Sequence, residues 1–207
     1  MSHRFRALAL IATCGLPLCL VDPTFAQTRQ DGFVETPDKP PRLSRADRLQ
    51  NLDFLFGALK AAPDATAAKA IEDRIWAVWM VSPSDTANLL MTRVRTAIES
   101  KNLDLAVKLL DSIIAIRPDY VEAWNRRATI HYMRKDYERS LADIRQILAR
   151  EPRHFGALAG LGLIMQDLGD SKRALDIYRK ALDVHPHLPR IPDLIKSLTE
   201  KVEGRDI

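Results

Sequence analysis

The sequence is nearly devoid of cysteine, and that absence removes whole classes of structure. Of its 207 residues only Cys14 and Cys19 are cysteines, and both lie in the first apolar stretch of the chain. Everything after residue 19 therefore has no thiol that can form a disulfide, ligate zinc or attack a substrate. Disulfide-stapled folds, zinc–thiolate clusters and cysteine-based catalysis are excluded for that part of the chain.

The chain also lacks long runs of one charge and the glycine-rich loops that cradle phosphates. The formal net charge is only +4 and the charges are interspersed, so nothing favours nucleic acid as a partner. Gly160 and Gly162 begin a dinucleotide-loop spacing, but Met165 stands where the third glycine is required. No zinc-peptidase, phosphate-loop or nucleophile-elbow motif occurs. We therefore predict no catalytic residue and no cofactor, and an enzyme is the least favoured function class.

Histidine gives a weak hint of a metal site. His185 and His187 flank Pro186, yet no third ligand lies near them in the sequence, and zinc sites need at least three protein ligands. We therefore predict no metal site and expect an exposed turn between helices at this place. His131 falls within a helical segment and is expected to be an interior residue.

The first 26 residues have the layout of a secretory signal peptide. Arg4 and Arg6 form a basic head, residues 7–21 are mostly apolar, and residues 24–26 end in the small Ala26. The apolar run is short for a permanent membrane span, so we expect cleavage after Ala26, a periplasmic mature protein and no stable membrane insertion. An uncleaved anchor is the alternative. Residues 27–43, rich in proline and charge, are predicted to be a flexible leader.

Helical patterning begins at Ser44. Ser44 with Asp47 three residues later resembles a helix-capping pair, and Asp64 is suited to cap a second helix. No stretch shows sustained strand alternation, so we predict an all-α fold. Trp76 and Trp79 are expected to pack in a core rather than to share an exposed face. The predicted elements are helices over 44–62 and 65–81, which form an N-terminal hairpin, a degenerate repeat, over 44–86.

A repeat of fixed period occupies the chain from residue 87. Pro118, Pro152 and Pro186 are 34 residues apart, and this period is typical of a helical solenoid. The units are 87–120, 121–154 and 155–188. The third unit has small, apolar and aromatic residues at fixed places, namely Ala157, Leu161, Gly162, Ala174, Tyr178, Ala181 and Pro186. This pattern resembles the tetratricopeptide repeat (TPR).

The other two units match the TPR pattern less fully. The second unit has the expected residues at Trp124, Ala128, Tyr137 and Pro152, and departs at Ser140, Ile144 and Ile147. The first unit has Ala106, Leu110 and Pro118, but Leu90 and Val94 replace the usual tryptophan and glycine. The resemblance is therefore strongest in the third unit and covers about half of the chain.

The TPR resemblance implies a short right-handed solenoid of stacked antiparallel helix pairs. Gly162 and Ala174 fall where the two helices of a unit cross most closely, and a proline ends each second helix because it cannot donate the next backbone hydrogen bond. Residues 189–207 carry an apolar stripe opposite charged residues, which predicts a C-terminal capping helix. The stripe consists of Leu194, Ile195, Leu198 and Val202.

In TPR families the first helix of each unit lines a concave groove that binds partners. The groove residues implied here are Met91, Arg95, Asn125, Thr129, Tyr132, Met133, Leu163 and Gln166. The carboxylate clamp of chaperone-binding TPRs has lysine at the fifth place and asparagine at the ninth. Those places hold Met91 and Arg95, Asn125 and Thr129, and Ala159 and Leu163. The clamp is absent, so capture of an acidic C-terminal tail is not expected. Packing of the groove against the chain's own ends is the alternative.

The function implied by the resemblance is that of a non-catalytic adaptor. Its groove would bind a protein or peptide of the bacterial envelope, and we expect the adaptor to be a monomer. The alternative is a self-assembling structural solenoid protein of the cell envelope, which stacks its exposed ends on those of other copies. Fold does not by itself determine function, so this role is what the family resemblance implies.

Export is directly testable. If the signal peptide is cleaved, N-terminal sequencing of the native protein should begin at or near Gln27, because signal peptidase reads the small residues before that position. A native protein that retains Met1 or Ser2 would contradict the predicted cleavage.

Overall fold

The computed structural model describes residues 44–202 and 204, and the predicted signal peptide and leader lie outside this part. The described residues form nine α-helices and no strand, as predicted. None of these helices is long and apolar enough to cross a bilayer. The helices are α1 (Arg45–Lys60), α2 (Ala65–Trp79), α3 (Asp85–Glu99), α4 (Leu103–Ile116), α5 (Val121–Met133), α6 (Tyr137–Arg150), α7 (Phe155–Asp167), α8 (Ser171–Val184) and α9 (Ile191–Val202).

Local sequence signals determine where the helices begin. The Ser44 hydroxyl accepts from the Asp47 amide at 3.1 Å while the Asp47 carboxylate accepts from the Ser44 amide at 3.1 Å, which confirms the predicted capping box. Asp64 caps α2 by accepting from the Ala67 amide at 2.8 Å. Such caps satisfy backbone N–H groups that the helix itself leaves unpaired.

The three predicted units form three helical hairpins, α3–α4, α5–α6 and α7–α8, and each hairpin turns in the same way. Residues at the fifteenth place of each unit, Lys101, Lys135 and Gly169, have φ values of 58°, 58° and 83°. This left-handed conformation suits glycine, and its recurrence at lysine shows that the hairpin geometry overrides the local cost. Asn102, Asp136 and Asp170 then cap the second helices.

Close helix crossing occurs where the small residues predicted it. Ala174 and Ala181 on α8 are fully buried, and a Cβ atom added to Gly162 on α7 would overlap the ring of Tyr178. The two helices approach so closely at this point that only glycine leaves room for the aromatic ring.

The last repeat is covered by α9. Ile191 and Leu198 are buried, and the other stripe residues pack on the same core. This core also contains α8 residues, among them Leu175 and Tyr178. The prediction of a C-terminal capping helix is confirmed, since α9 turns an apolar face to α8 and its charged face outward.

The hairpin α1–α2 does not extend the solenoid in line. A repeat preceding the first unit would pack its second helix on α3, but α2 makes little contact with α3 and α1 packs on α8. The hairpin lies across the turns that join successive units. Its contacts run in reverse order along the chain, as Ala62 meets His187, Glu72 meets His185, Trp79 meets His154, and Met80 meets Tyr120.

The central contact of this hairpin is a stack of Trp79 on His154. The two rings are nearly parallel, at 8°, with centroids 4.1 Å apart. His154 is fully buried and caps α7, because its Nδ1 accepts the Ala157 amide at 3.1 Å. Burial lowers the pKa of His154 to about 3, so the ring is neutral at physiological pH. Arg153 also holds the hairpin in place. Its guanidinium carbon lies 4.3 Å from the centroid of the Phe56 ring, and the guanidinium donates a hydrogen bond to the Asp53 carboxylate at 2.7 Å.

Gly162 offers a sharp test of the helix crossing. Gly162→Ala should destabilise the protein by about 1–3 kcal/mol in denaturant melts, because the new methyl group displaces Tyr178. Gly160 provides the matched control on the same helix, since its added Cβ would be 3.9 Å from Ile144. Gly160→Ala should be neutral or stabilise by about 0.5–1 kcal/mol. Equal losses in both variants would mean that the crossing is looser than described.

The buried His154 predicts acid sensitivity. Its pKa is depressed in the folded state, so its contribution to stability is complete above the unfolded value near 6.5 and is lost as pH falls toward 3. By pH 5 the loss should be on the order of 2 kcal/mol. Urea denaturation at pH 7 and at pH 5 measures this loss in the free energy of unfolding. His154→Asn keeps a capping side chain without a titrating ring and should reduce the pH dependence. An unchanged dependence would assign the acid loss to other groups, such as His131 and His185, whose pKa values burial also lowers.

Candidate functional site

A cleft of about 520 Å³ lies against α5, on the face that the TPR pattern assigns to the concave groove. Three of the predicted groove residues line it, namely Asn125, Thr129 and Met133. They recur every fourth residue on α5 and therefore share one face of that helix. The side chain of Met133 is largely exposed, so the cleft presents an apolar surface to solvent.

Two walls of the cleft come from other elements. Ile98, near the end of α3, forms one wall. Trp76 and Met80 form the other and belong to the N-terminal hairpin. Met80 is held at α5, because Tyr120 donates to its carbonyl at 2.6 Å and an Arg126 nitrogen lies 3.1 Å from its sulfur. The hairpin thus supplies one wall of the cleft.

The charges that line the cleft compensate one another. Glu122 is buried, and burial raises the pKa of its carboxyl group. The Arg126 guanidinium, 2.9 Å from the carboxylate, and the Asn125 amide, which donates to it at 3.0 Å, oppose this rise. Because these charges offset each other, the cleft offers little net charge to a partner.

Hydrogen-bond acceptors remain in the cleft. The Thr129 hydroxyl donates to the Asn125 backbone carbonyl at 2.9 Å, which leaves the hydroxyl oxygen able to accept. The side-chain carbonyl of Asn125 has no donor among the described residues. These two groups lie beside apolar side chains, an arrangement that suits a segment with backbone N–H donors and apolar side chains.

The other predicted groove residues lie elsewhere. Met91 is buried in the core between α3, α4 and α5, and Tyr132 packs partly buried against Tyr137, with ring centroids 6.0 Å apart. Leu163 is half-buried and Gln166 accepts a hydrogen bond from Tyr178 at 3.1 Å. Arg95 is exposed on α3 but does not line the cleft.

The histidines behave differently from the sequence expectation in one respect. His185 is buried, not in an exposed turn as predicted, because the hairpin covers it and its Nε2 lies 3.3 Å from Glu72. His187 is half-buried and lies 3.0 Å from the Ala62 carbonyl. Within residues 44–202 no three potential ligands cluster as a metal site would require. His131 is an interior residue, as expected.

Sequence reasoning missed several residues of the cleft. Ile98 and Glu122 stand at the twelfth and second places of their units, which are groove places in the TPR pattern, so the repeat register contained that signal. Trp76 and Met80 precede the first unit and have no place in the register. Their contribution depends on the hairpin's position, which no local pattern encodes.

Comparison with known proteins agrees with this architecture. The tetratricopeptide-repeat family model matches residues 91–146 and 135–189. A TPR repeat-containing protein of Rhizobium etli is 40% identical over 155 residues, which cover 75% of this chain and 76% of that protein. The small glutamine-rich tetratricopeptide repeat-containing protein 2 of Saccharomyces cerevisiae is 26% identical over 88 residues, which cover 42% of this chain and 25% of that protein.

Solved structures share the fold at low sequence identity. The first TPR of Spaghetti bound to an HSP90 peptide superposes with a TM-score of 0.55 at 15% identity, over 58% of this chain and 95% of that one. The crystal structure of MamA superposes with a TM-score of 0.54 at 17% identity, over 80% of this chain and 89% of that one. The repeat period, the three hairpins and the Rhizobium relative agree, and the chain belongs to the tetratricopeptide-repeat family.

Proposed function

We propose that the protein is a non-catalytic adaptor of the bacterial periplasm that binds a partner polypeptide in its concave cleft. TPR domains are generally binding modules for proteins or peptides, and the related Spaghetti domain is seen with an HSP90 peptide. The observation that supports the proposal best is the cleft, in which exposed Met133 lies beside the acceptors of Asn125 and Thr129.

The cleft chemistry narrows the class of partner. Its walls are apolar, and its buried carboxylate and guanidinium offset each other. A highly charged segment would lose hydration there without gaining an opposite charge. No unit of the chain has lysine at the fifth place with asparagine at the ninth, which is the pattern of the chaperone-type clamp. We therefore expect a segment of low charge with an apolar anchor, and not an acidic tail.

The N-terminal hairpin bounds the cleft through Trp76 and Met80. A partner segment in the cleft therefore contacts this hairpin as well as α3 and α5. The proposal of a periplasmic location rests on the predicted signal peptide, and that of an adaptor without catalysis rests on the family and on the lack of catalytic motifs in the sequence.

The cleft assignment can be tested once a partner has been identified by pull-down from an envelope fraction. Met133→Arg places a long charged side chain in the apolar cleft and should weaken binding by about tenfold or more, which is roughly 1.4 kcal/mol. Isothermal titration calorimetry measures this change, and circular dichroism should show unaltered helicity.

Ala115→Arg is the matched control. Ala115 is exposed on α4, outside the cleft, so the same side chain there should leave affinity unchanged. If both variants weaken binding alike, or if neither does, the partner binds another surface and the cleft assignment is wrong.

A further inference from the structure

In the described part of the chain, no helix packs on the first TPR unit where a preceding unit would lie. The third and tenth places of each unit's first helix show this clearly. At the third place, Ala123 and Ala157 are 0% and 2% exposed, whereas Leu89 is 59% exposed. At the tenth place, Ile130 and Ile164 are buried, whereas Thr96 is exposed. The difference arises because the N-terminal hairpin lies across the turns and not beside α3.

The second helix of the first unit continues this uncovered surface. Asp104 and Asp111 on α4 face α5, since they bind Arg134 and Arg127. Leu105 and Ile116 lie on the side of α4 away from these two aspartates and are 44% and 47% exposed. We call the surface formed by Leu89, Arg93, Leu105 and Ile116 the end face. Apart from Arg93 it is apolar, and no described helix covers it.

Arg93 indicates the charge expected on a helix that packs on the end face. Its counterpart one repeat later is Arg127, which binds Asp111 of the preceding helix at 2.5 Å and Asp143 of its own unit at 2.7 Å. In the first unit, Leu109 stands in the place of Asp143. Arg93 is exposed and makes no ion pair with any residue between 44 and 202. The register thus places a guanidinium with no partner among the described residues where, one repeat later, the preceding helix supplies a carboxylate.

We propose that the end face docks an amphipathic helix of a partner protein, with apolar side chains on Leu89, Leu105 and Ile116 and a carboxylate on Arg93. The partner helix packs on α3 as α4 packs on α5, so the contact between successive repeats is the model for this interaction. This site is separate from the concave cleft, and a protein with both sites joins two polypeptides.

A second copy of the chain does not fit the end face. In a two-fold dimer through this face both copies of Arg93 lie in one interface, and neither end face supplies a carboxylate to pair with them. The opposite end of the solenoid is α9, whose apolar residues are engaged with α8 and whose outer face is charged. Neither surface of a second copy supplies an apolar helix with a carboxylate in place.

The probe for this site is a peptide with the α4 sequence, Leu103–Ile116, stapled on its outer face and labelled with a fluorophore. It carries the carboxylate of Asp111 in the register that Arg127 uses. Fluorescence anisotropy should give saturable binding to the mature protein with a Kd of about 100 µM or tighter. Arg93→Glu should weaken it by about tenfold or more, and an Asp111→Lys peptide should restore binding to that variant.

Controls separate the end face from the cleft. Arg95 is a second exposed arginine on α3, on a different side of the helix, so Arg95→Glu should leave peptide binding unchanged. Met133→Arg should also leave it unchanged, which makes this result independent of the proposed cleft function. Leu89→Lys should abolish binding while leaving the melting temperature nearly unchanged, because the side chain is largely exposed.

Three outcomes would overturn the proposal. The first is no saturable binding of the peptide up to about 1 mM. The second is an equal loss from Arg93→Glu and Arg95→Glu, which would mean unspecific attraction. The third is a dimer of the intact protein in sedimentation equilibrium that Leu89→Lys disperses, since the occupant would then be a second copy.

Discussion

The contact between Trp79 and His154 is the constraint on which the arrangement of the molecule depends. His154 uses one ring nitrogen to cap α7 and one ring face to receive Trp79, so the start of the third repeat and the docking of the N-terminal hairpin share one side chain. Burial keeps this ring neutral, and the flat indole stacks against it. Because α2 is held at this turn, it crosses the ends of the repeats and does not stack on the first of them.

The position of the N-terminal hairpin determines two surfaces of the protein. Beside α5, Trp76 and Met80 give the cleft one of its walls. Because α2 does not pack beside α3 and α4, Leu89 and Ile116 at the apolar end of the solenoid are exposed. A TPR array with a hairpin in line would instead have a covered end and would lack this wall. The placement of the hairpin therefore controls what the protein can bind as much as the repeats do.

The sequence predicted the parts of the structure that local chemistry determines. The spacing of Pro118, Pro152 and Pro186 gave the period, and Ser44 and Asp64 marked helix starts that the structure confirms. The docking of the hairpin was not predictable in this way. It joins residues such as Glu72 and His185, 113 positions apart, and it lies outside the repeat register. For the same reason the cleft was found only in part, since Asn125 and Thr129 are in register and Trp76 is not.

The departures from the TPR pattern at Val94 and Ile144 have a common explanation in side-chain volume. At the crossing of the two helices, Gly162 in the third unit faces Tyr178. The corresponding pairs are Ala128 with Ile144 and Val94 with Leu110, and each pair belongs to one core cluster. A larger residue on the first helix is matched by a smaller one on the second, so each crossing stays filled. Where Ser140 replaces the usual alanine, its hydroxyl donates to the Ala128 carbonyl at 2.8 Å, which satisfies a buried polar group. The fold therefore depends on the volume of each facing pair, and a single position of the pattern can change when its partner changes with it.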